Sequence, residues 1–403
     1  MTSCRICNFK LKKIIDFGKI ALVGNFLKRK NQRKYKISLN YCQSCKHVQI
    51  SEHLKPDLLF KNYLWETGVS KSNFYLLNDL IKRLKKSGIS KNSKILEIAS
   101  NDGSFIKILK KQFKSFVLGI DPAQNLAKKA NSEKVFTINK FFDFNLSKKI
   151  QKKFGKFDFV FARNVVAHLN NPNEIFKGVE NLLSEDGIFI LEVPHLLNII
   201  KQNQYDNIFH EHIGFHSLKS INDLCKRNKL QVLDVDLINS QGGSIRCFIS
   251  KSKIENKISK KVENILNIEK KSKLFSNKEL EKFEIKIKKH IKDFKAMIKK
   301  LKKNKKKISI YGASGKGQAF MQFNKINNKI IDYVFDKSKL KQGKLTPGTN
   351  IEILNPKLLT RQKVDYLLIL SWNIKEEIIK QETNFRKNGG KFIIPFPRPK
   401  VLN

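Results

Sequence analysis

Lys94-Ile-Leu-Glu-Ile-Ala-Ser-Asn-Asp-Gly103, continued through Leu118-Gly-Ile-Asp-Pro122, reads as strand, polar turn, helix and strand. Ile95 to Ile98 is a short apolar run of the kind buried on both faces of a parallel sheet. Ser100-Asn-Asp-Gly103 is a turn cluster. Ser104 to Phe113 then repeats apolar residues at helical spacing in Phe105, Ile106, Leu109 and Phe113. Phe116 to Ile120 is a second apolar strand that ends at Asp121. This is half of a doubly wound α/β nucleotide fold, with the ligand expected at the carboxyl ends of the strands.

The turn is not Gly-x-Gly-x-x-Gly. A pyrophosphate needs close backbone approach and an open helix N-terminus. Here Glu97 precedes the turn and Asp102 lies inside it, which suits a positively charged, amino-acid-like ligand better than a diphosphate. Asp121 follows 24 residues after Glu97, placed to accept hydrogen bonds from ribose hydroxyls. The pattern resembles that of class I S-adenosylmethionine methyltransferases. The resemblance implies donor binding by Glu97, Ala99, Asn101, Asp102, Gly103, Asp121 and Pro122.

At 403 residues the chain exceeds one typical domain of ~100–200 residues, so two or three are expected. The net charge of +46 ordinarily suggests nucleic acid. Only ten of the basic residues are arginine, however, and the 71 lysines are spread along the whole chain rather than gathered on one stretch. That distribution argues against nucleic-acid recognition and leaves small anionic substrates favoured. The opening Met-Thr-Ser-Cys has no apolar run behind a basic start, and no stretch approaches the ~18 apolar residues of a membrane span. A cytoplasmic protein without membrane contact is expected, as a monomer or small homo-oligomer.

Cys4-Arg-Ile-Cys7 and Cys42-Gln-Ser-Cys45 form two Cys-x-x-Cys knuckles separated by 34 residues. Two such knuckles close a tetrahedral zinc site that leaves no open position for water, so the metal is expected to be structural. His47 and His53 are surplus to a filled site. Phe60 to Ser72 is aromatic and leads into an amphipathic helix (Phe74 to Leu84), as a lid over a ligand would. Its Tyr63 and Trp65 either contact ligand or pack between domains.

Val135 to Ile138, Phe157 to Ala162 and Gly187 to Val193 fit the third, fourth and fifth strands. The fourth runs into Arg163-Asn-Val-Val-Ala-His168, where Asn164 and His168 fall at the carboxyl end; His168 is either functional there or a satisfied core histidine. Tyr205-Asp-Asn-Ile-Phe-His-Glu-His-Ile-Gly-Phe-His216 holds three of the eight histidines within seven residues. Its His-Glu-His is not a zinc spacing on a helix. Adjacent imidazole and carboxylate groups suit proton transfer instead. Leu230 to Leu237 and Ser244 to Ile249 close the sheet around the Ser240-Gln-Gly-Gly243 turn.

Lys251 to Lys307 is lysine-rich with apolar residues at three- and four-residue intervals, which predicts helices with solvated lysines. Ile308-Ser-Ile-Tyr-Gly-Ala-Ser-Gly-Lys-Gly317 then opens a second strand, glycine turn and helix, followed by strands at Ile331 to Asp336, Val364 to Leu370 and Lys391 to Pro395. The expected division is a zinc module over 1–58, a methyltransferase domain over 59–250, a helical linker over 251–305 and a Rossmann-like domain over 306–403.

Taken in order, these motifs resemble the three-part C-methyltransferases that act on nucleotide-linked keto-deoxy sugars. The shared features are the zinc module, Leu-Glu-Ile-Ala-Ser-Asn-Asp-Gly, Asn-Val-Val-Ala-His, Tyr-Asp-x-Ile-x-His-Glu-His, Gly-Gly-Ser-Ile-Arg and Tyr-Gly-Ala-x-x-Lys-Gly. The resemblance implies methyl transfer to C3 of a 4-keto sugar carried on a nucleotide diphosphate. It implies His212 as base, Glu211 orienting or tuning it, and His168, Asn164 and Tyr63 facing the sugar. His210 and Lys316 are implied as substrate contacts, Lys316 on the diphosphate. The family places Tyr directly before His-Glu-His; this chain has Phe209, so His212 acts alone or with Tyr63. Competing expectations are an N- or O-methyltransferase on a sugar, and an RNA methyltransferase.

Overall fold

The computed structural model describes residues 3–29, 32–52, 54–60, 66 and 72–402, with the backbone alone for 72–75. Tyr63, Trp65 and His53 therefore lie outside the described residues, as does most of the expected lid.

The described residues form three sheets. In the first, β1 (Leu11–Ala21), β2 (Lys34–Cys42) and β3 (Val48–Ile50) form an antiparallel meander. Its fourth strand is β9 (Gly214–Phe215), which arrives from far along the chain and pairs antiparallel with β3.

The second sheet has seven strands in the order β10-β11-β8-β7-β4-β5-β6. These are β4 (Lys94–Ile98), β5 (Phe116–Ile120), β6 (Thr137–Ile138), β7 (Phe157–Arg163), β8 (Leu183–Pro194), β10 (Leu230–Ile238) and β11 (Ser244–Lys251). β4 to β8 are mutually parallel, and β11 inserts reversed between β8 and β10. The centre is apolar on both faces: Leu96, Leu118, Phe161 and Phe189 are all fully buried. Burying each such side chain contributes roughly 1.5–3 kcal/mol, which is why the run Ile95 to Ile98 makes a central strand. Gly119 is obligatory in β5, since a Cβ there would lie 2.5 Å from Ser100 Oγ. The third strand is shorter than Val135 to Ile138 suggests: the chain pairs only at Thr137–Ile138, while Val135 turns into the core beside Gly103.

The third sheet runs β14-β13-β12-β15-β16-β17. Its members are β12 (Ile308–Tyr311), β13 (Val334–Phe335), β14 (Ile353–Leu354), β15 (Tyr366–Ile369), β16 (Lys391–Ile394) and β17 (Lys400–Leu402). All pairs are parallel except β16 with β17, so the sheet ends on β17 rather than on the Lys391 strand. Between the second and third sheets stand the helices Lys260–Lys271 and Asn277–Lys303. The longer one buries Leu280, Phe283, Ile287, Phe294 and Ile298 and is capped by Ser276, whose hydroxyl accepts the Glu279 N–H. Among the described residues no helix is long and apolar enough to cross a membrane.

Candidate active site

The four knuckle cysteines converge. Their sulfurs all lie within 4.8 Å of one another, with Cys4–Cys45 and Cys7–Cys42 pairs at 3.4 Å and no disulfide between them. Four thiolates bound at ~2.3 Å to one zinc ion stand ~3.8 Å apart, so the donor set fits zinc and leaves no place for a reacting ligand. His47 is buried against His216, with ring centroids 4.7 Å apart, and contributes no metal-binding atom to the cluster.

The turn after β4 uses left-handed backbone at Ala99, Asn101 and Gly103, which carries the chain from the strand end into the helix Ser104–Phe113. Asp121, at the end of β5, accepts the Asn101 N–H (2.7 Å) and the Ala123 N–H (2.8 Å) on its two oxygens. Each oxygen retains a second lone pair for a ribose hydroxyl. Asp102 is buried and accepts from Ser104 N and Oγ, so its carboxylate closes the helix start. Pro122 follows at the rim, half-buried.

Glu97 is the buried acid at the strand end. Arg163 donates twice to its Oε1, from Nε at 3.0 Å and Nη2 at 2.7 Å, and stacks 3.6 Å above the Phe105 ring. Its Oε2 is buried without a hydrogen-bond partner among the described residues. Burial raises the Glu97 carboxyl to about 7, against the opposing pull of Arg163. An orphaned carboxylate oxygen beside a ribose-competent aspartate fits a ligand that carries both a ribose and a positive charge, as S-adenosylmethionine does. Arg163 was not among the residues singled out from sequence, although it is the first polar residue after the apolar run of β7.

The histidine loop is built on the 3₁₀ turn Tyr205–Asn207 and is clamped to the end of β7. Ile213 N–H donates to the Ala167 carbonyl (2.7 Å), and His168 Nδ1 donates to the Glu211 carbonyl (2.7 Å). His168 and His212 stand edge to face, 5.0 Å apart. His212 Nδ1 donates to the Asn207 carbonyl at 2.9 Å, which fixes the neutral tautomer with its lone pair on Nε2. Burial, and then the nearby His168 and Lys316, hold His212 well below the usual histidine range. Burial takes His168 down to about 4. Asn164 sits in left-handed backbone with its N–H on the Glu192 carbonyl, and its Oδ1 is buried without a partner among the described residues. The only described lid residue near this pair is Phe60, 5.7 Å from the His168 ring and edge-on to it.

Three of the implied site residues are held by bonds that the sequence does not display. The group orienting His212 is the Asn207 carbonyl, whereas Glu211 acts on His168 through its main chain and turns its carboxylate toward Gly24. His210 is buried with Nε2 donating to the Lys36 carbonyl of β2 (3.1 Å), which ties the loop to the first sheet, and among the described residues its Nδ1 has no partner. Lys316 is not a surface cation: its ammonium is buried and donates to the Gln241 carbonyl at 2.8 Å.

A central parallel sheet with a reversed strand inserted beside its edge, an acid pair at the strand ends and a turn of this kind define an S-adenosylmethionine-dependent methyltransferase. A methyltransferase-domain family model matches residues 70–235, a C-methyltransferase C-terminal-domain model 239–397, and a zinc-binding-domain model 4–60. The C-methyltransferase NovU of Streptomyces niveus is 30% identical over 99% of this chain and 96% of its own length. The chain belongs to this family of zinc-containing, S-adenosylmethionine-dependent C-methyltransferases. The following solved structures are similar over half of this chain or less. The PH0226 protein of Pyrococcus horikoshii OT3 is 16% identical over 50% of this chain and 100% of its own (TM-score 0.38). A methyltransferase of Clostridium acetobutylicum ATCC 824 is 15% identical over 44% and 91% (TM-score 0.35).

Proposed function

We propose that this C-methyltransferase acts on a nucleotide-linked 4-keto-deoxy sugar, at the carbon next to the ketone. The observation that carries the reading is the His212 tautomer: Nδ1–H is tied to Asn207, so Nε2 of this half-buried ring carries the lone pair. A carbon acid needs such a base, and a hydroxyl also gains from one, whereas a free amine is nucleophilic without it. S-adenosylmethionine, when bound, supplies an electrophilic methyl group on a sulfonium.

This chain's residues divide the remaining work. Glu97 and Asp121 hold the donor, with Arg163 fixing the Glu97 carboxylate. His212 removes the proton from C3, and the electron pair shifts to the ketone oxygen. His168, tied to the Glu211 carbonyl, keeps the loop against the end of β7. Asn164 offers a sugar hydroxyl a buried amide oxygen that has no partner among the described residues. Tyr63 remains assigned to the sugar on the family resemblance. The strongly basic charge balance favours a diphosphate-bearing substrate over a neutral one.

The test is solvent deuterium exchange into a nucleotide-linked 4-keto-6-deoxy sugar, read by mass spectrometry with and without S-adenosylmethionine. Exchange at C3 and a carbon-bound methyl support the reading. A methyl found on nitrogen or oxygen, with no exchange, refutes it.

A further inference from the structure

The third sheet brings a cation to the histidine loop. The helix Gly315–Phe323 begins against Phe209: a Cβ on Gly315 would lie 3.6 Å from that ring, and the Phe209 ring is 4.0 Å from His212. The next residue, Lys316, is buried, and among the described residues its ammonium has one hydrogen-bond acceptor, the Gln241 carbonyl at 2.8 Å. An ammonium has three donors, so two remain for other groups. Asp206, buried on the 3₁₀ turn that leads into the histidine loop, accepts the Trp372 indole N–H at 2.8 Å on Oδ2, and its Oδ1 is unpartnered among the described residues. Lys316 and Asp206 make no direct salt bridge.

We propose that Lys316 is a catalytic residue whose ammonium receives the negative charge formed on the ketone oxygen when His212 takes the C3 proton. The proposal rests on the C-methylation of a keto sugar argued above. In the step, the C3–H bond breaks and its proton goes to His212 Nε2. The C–H electron pair becomes the C3–C4 double bond, and the carbonyl π pair moves onto oxygen. Atoms and charge balance, and the new charge is one that a buried cation meets at short range.

Electrostatics agrees with that geometry. Burial brings Lys316 down to about 8 while Asp206 opposes the shift, so the ammonium persists at neutral pH. Its field, with that of His168, helps hold His212 neutral before the substrate enters. A cation that weakens a base in the free enzyme strengthens the acidity of the carbon in the complex, and the second effect acts where charge develops.

The experiment uses the zinc-loaded full chain and a nucleotide-linked 4-keto-6-deoxy sugar at saturation, without S-adenosylmethionine. Lys316→Met and, as a second neutral variant, Lys316→Gln are expected to lower the C3 exchange rate constant about 10²-fold to 10³-fold. Donor binding and zinc content are expected to stay at wild-type levels, which separates this loss from misfolding. Asp206→Asn is expected to move the alkaline limb of the exchange profile to lower pH, because Lys316 loses the charge that holds its proton. If the neutral variants raise only the KM for the sugar and exchange at saturation is unchanged, Lys316 is a diphosphate contact and the proposal is wrong. If the wild type shows no exchange on any keto sugar, the underlying C-methylation reading fails first, before any variant is made.

Discussion

The Ile50 N–H donates to the Ile213 carbonyl at 3.0 Å, so the sheet that bears the zinc ligands and the loop that bears His212 share one hydrogen-bond ladder. The Val48–Phe215 pairing and the His210–Lys36 bond continue the same seam. The knuckle at Cys42 and Cys45 stands at the turn between β2 and β3. Metal loss there loosens the strand to which the histidine loop is attached.

Zinc removal is therefore expected to abolish methyl transfer before it abolishes donor binding. Structural zinc contributes ~10–16 kcal/mol to small modules at neutral pH, more than the seam can replace. Hydrogen exchange by mass spectrometry checks this: after chelation, protection over 209–215 should collapse while that over 95–120 persists. Equal loss in both regions would show the two sheets melting as one.

Arg246 is the least replaceable charge in the second sheet. It is fully buried in β11, donates to Glu192 Oε1 at 2.6 Å and Asp79 Oδ2 at 2.7 Å, and reaches the Leu76 carbonyl on the helix Ser72–Lys86. Arg246→Met strands Glu192 beneath that helix. Breaking such a buried pair costs about 3–5 kcal/mol, and urea denaturation should show it. Arg246→Met with Glu192→Gln should recover part of the loss.

Much of this was legible in advance, and the failures share a cause. Ile95 to Ile98 and Phe157 to Ala162 announce themselves because a central parallel strand needs an unbroken apolar run. The knuckles do so because tetrahedral thiolate ligation dictates their spacing. β9 gives no such sign: two residues have no periodicity, and the strand exists only because β3 lies beside it. Asn207 and Glu211 act through main-chain carbonyls, which any residue type carries. Lys316 stands out among many lysines only through the family resemblance, and its burial is a property of the fold around it.

The raised Glu97 carboxyl makes donor binding depend on pH. Its folded pKa of about 7 lies above the usual carboxylate value, so the ligand-free protein holds this proton through mildly acidic pH. The raised value also means that this group's stabilising contribution is present at low pH and is lost as pH rises toward about 7. A cationic donor favours the ionised acid, and its affinity should rise as pH climbs through that value, with protons released on binding. Titration calorimetry in two buffers of different ionisation enthalpy measures the release. Glu97→Gln should flatten the affinity profile and release none, whereas persistent release would point to another acid.

His212 and His168 are 5.0 Å apart, yet they should fail in different ways. His212 carries the lone pair, so His212→Gln removes the base and is expected to lower C3 exchange by about 10²–10⁴. Donor affinity should be unchanged, because Glu97 and Asp121 lie on other strand ends. His168 holds the loop through Glu211 and sits beside the base as a neutral ring. His168→Gln keeps a donor for that carbonyl, and the exchange rate should fall by far less than in His212→Gln. His168→Ala removes the donor and leaves the Glu211 carbonyl unmatched, which costs about 1–3 kcal/mol. In that variant hydrogen exchange should rise over 209–213 along with the loss of rate. If His168→Gln were as inactive as His212→Gln with its loop still protected, the proton would be passing through His168, and the roles of the two rings would have to be exchanged.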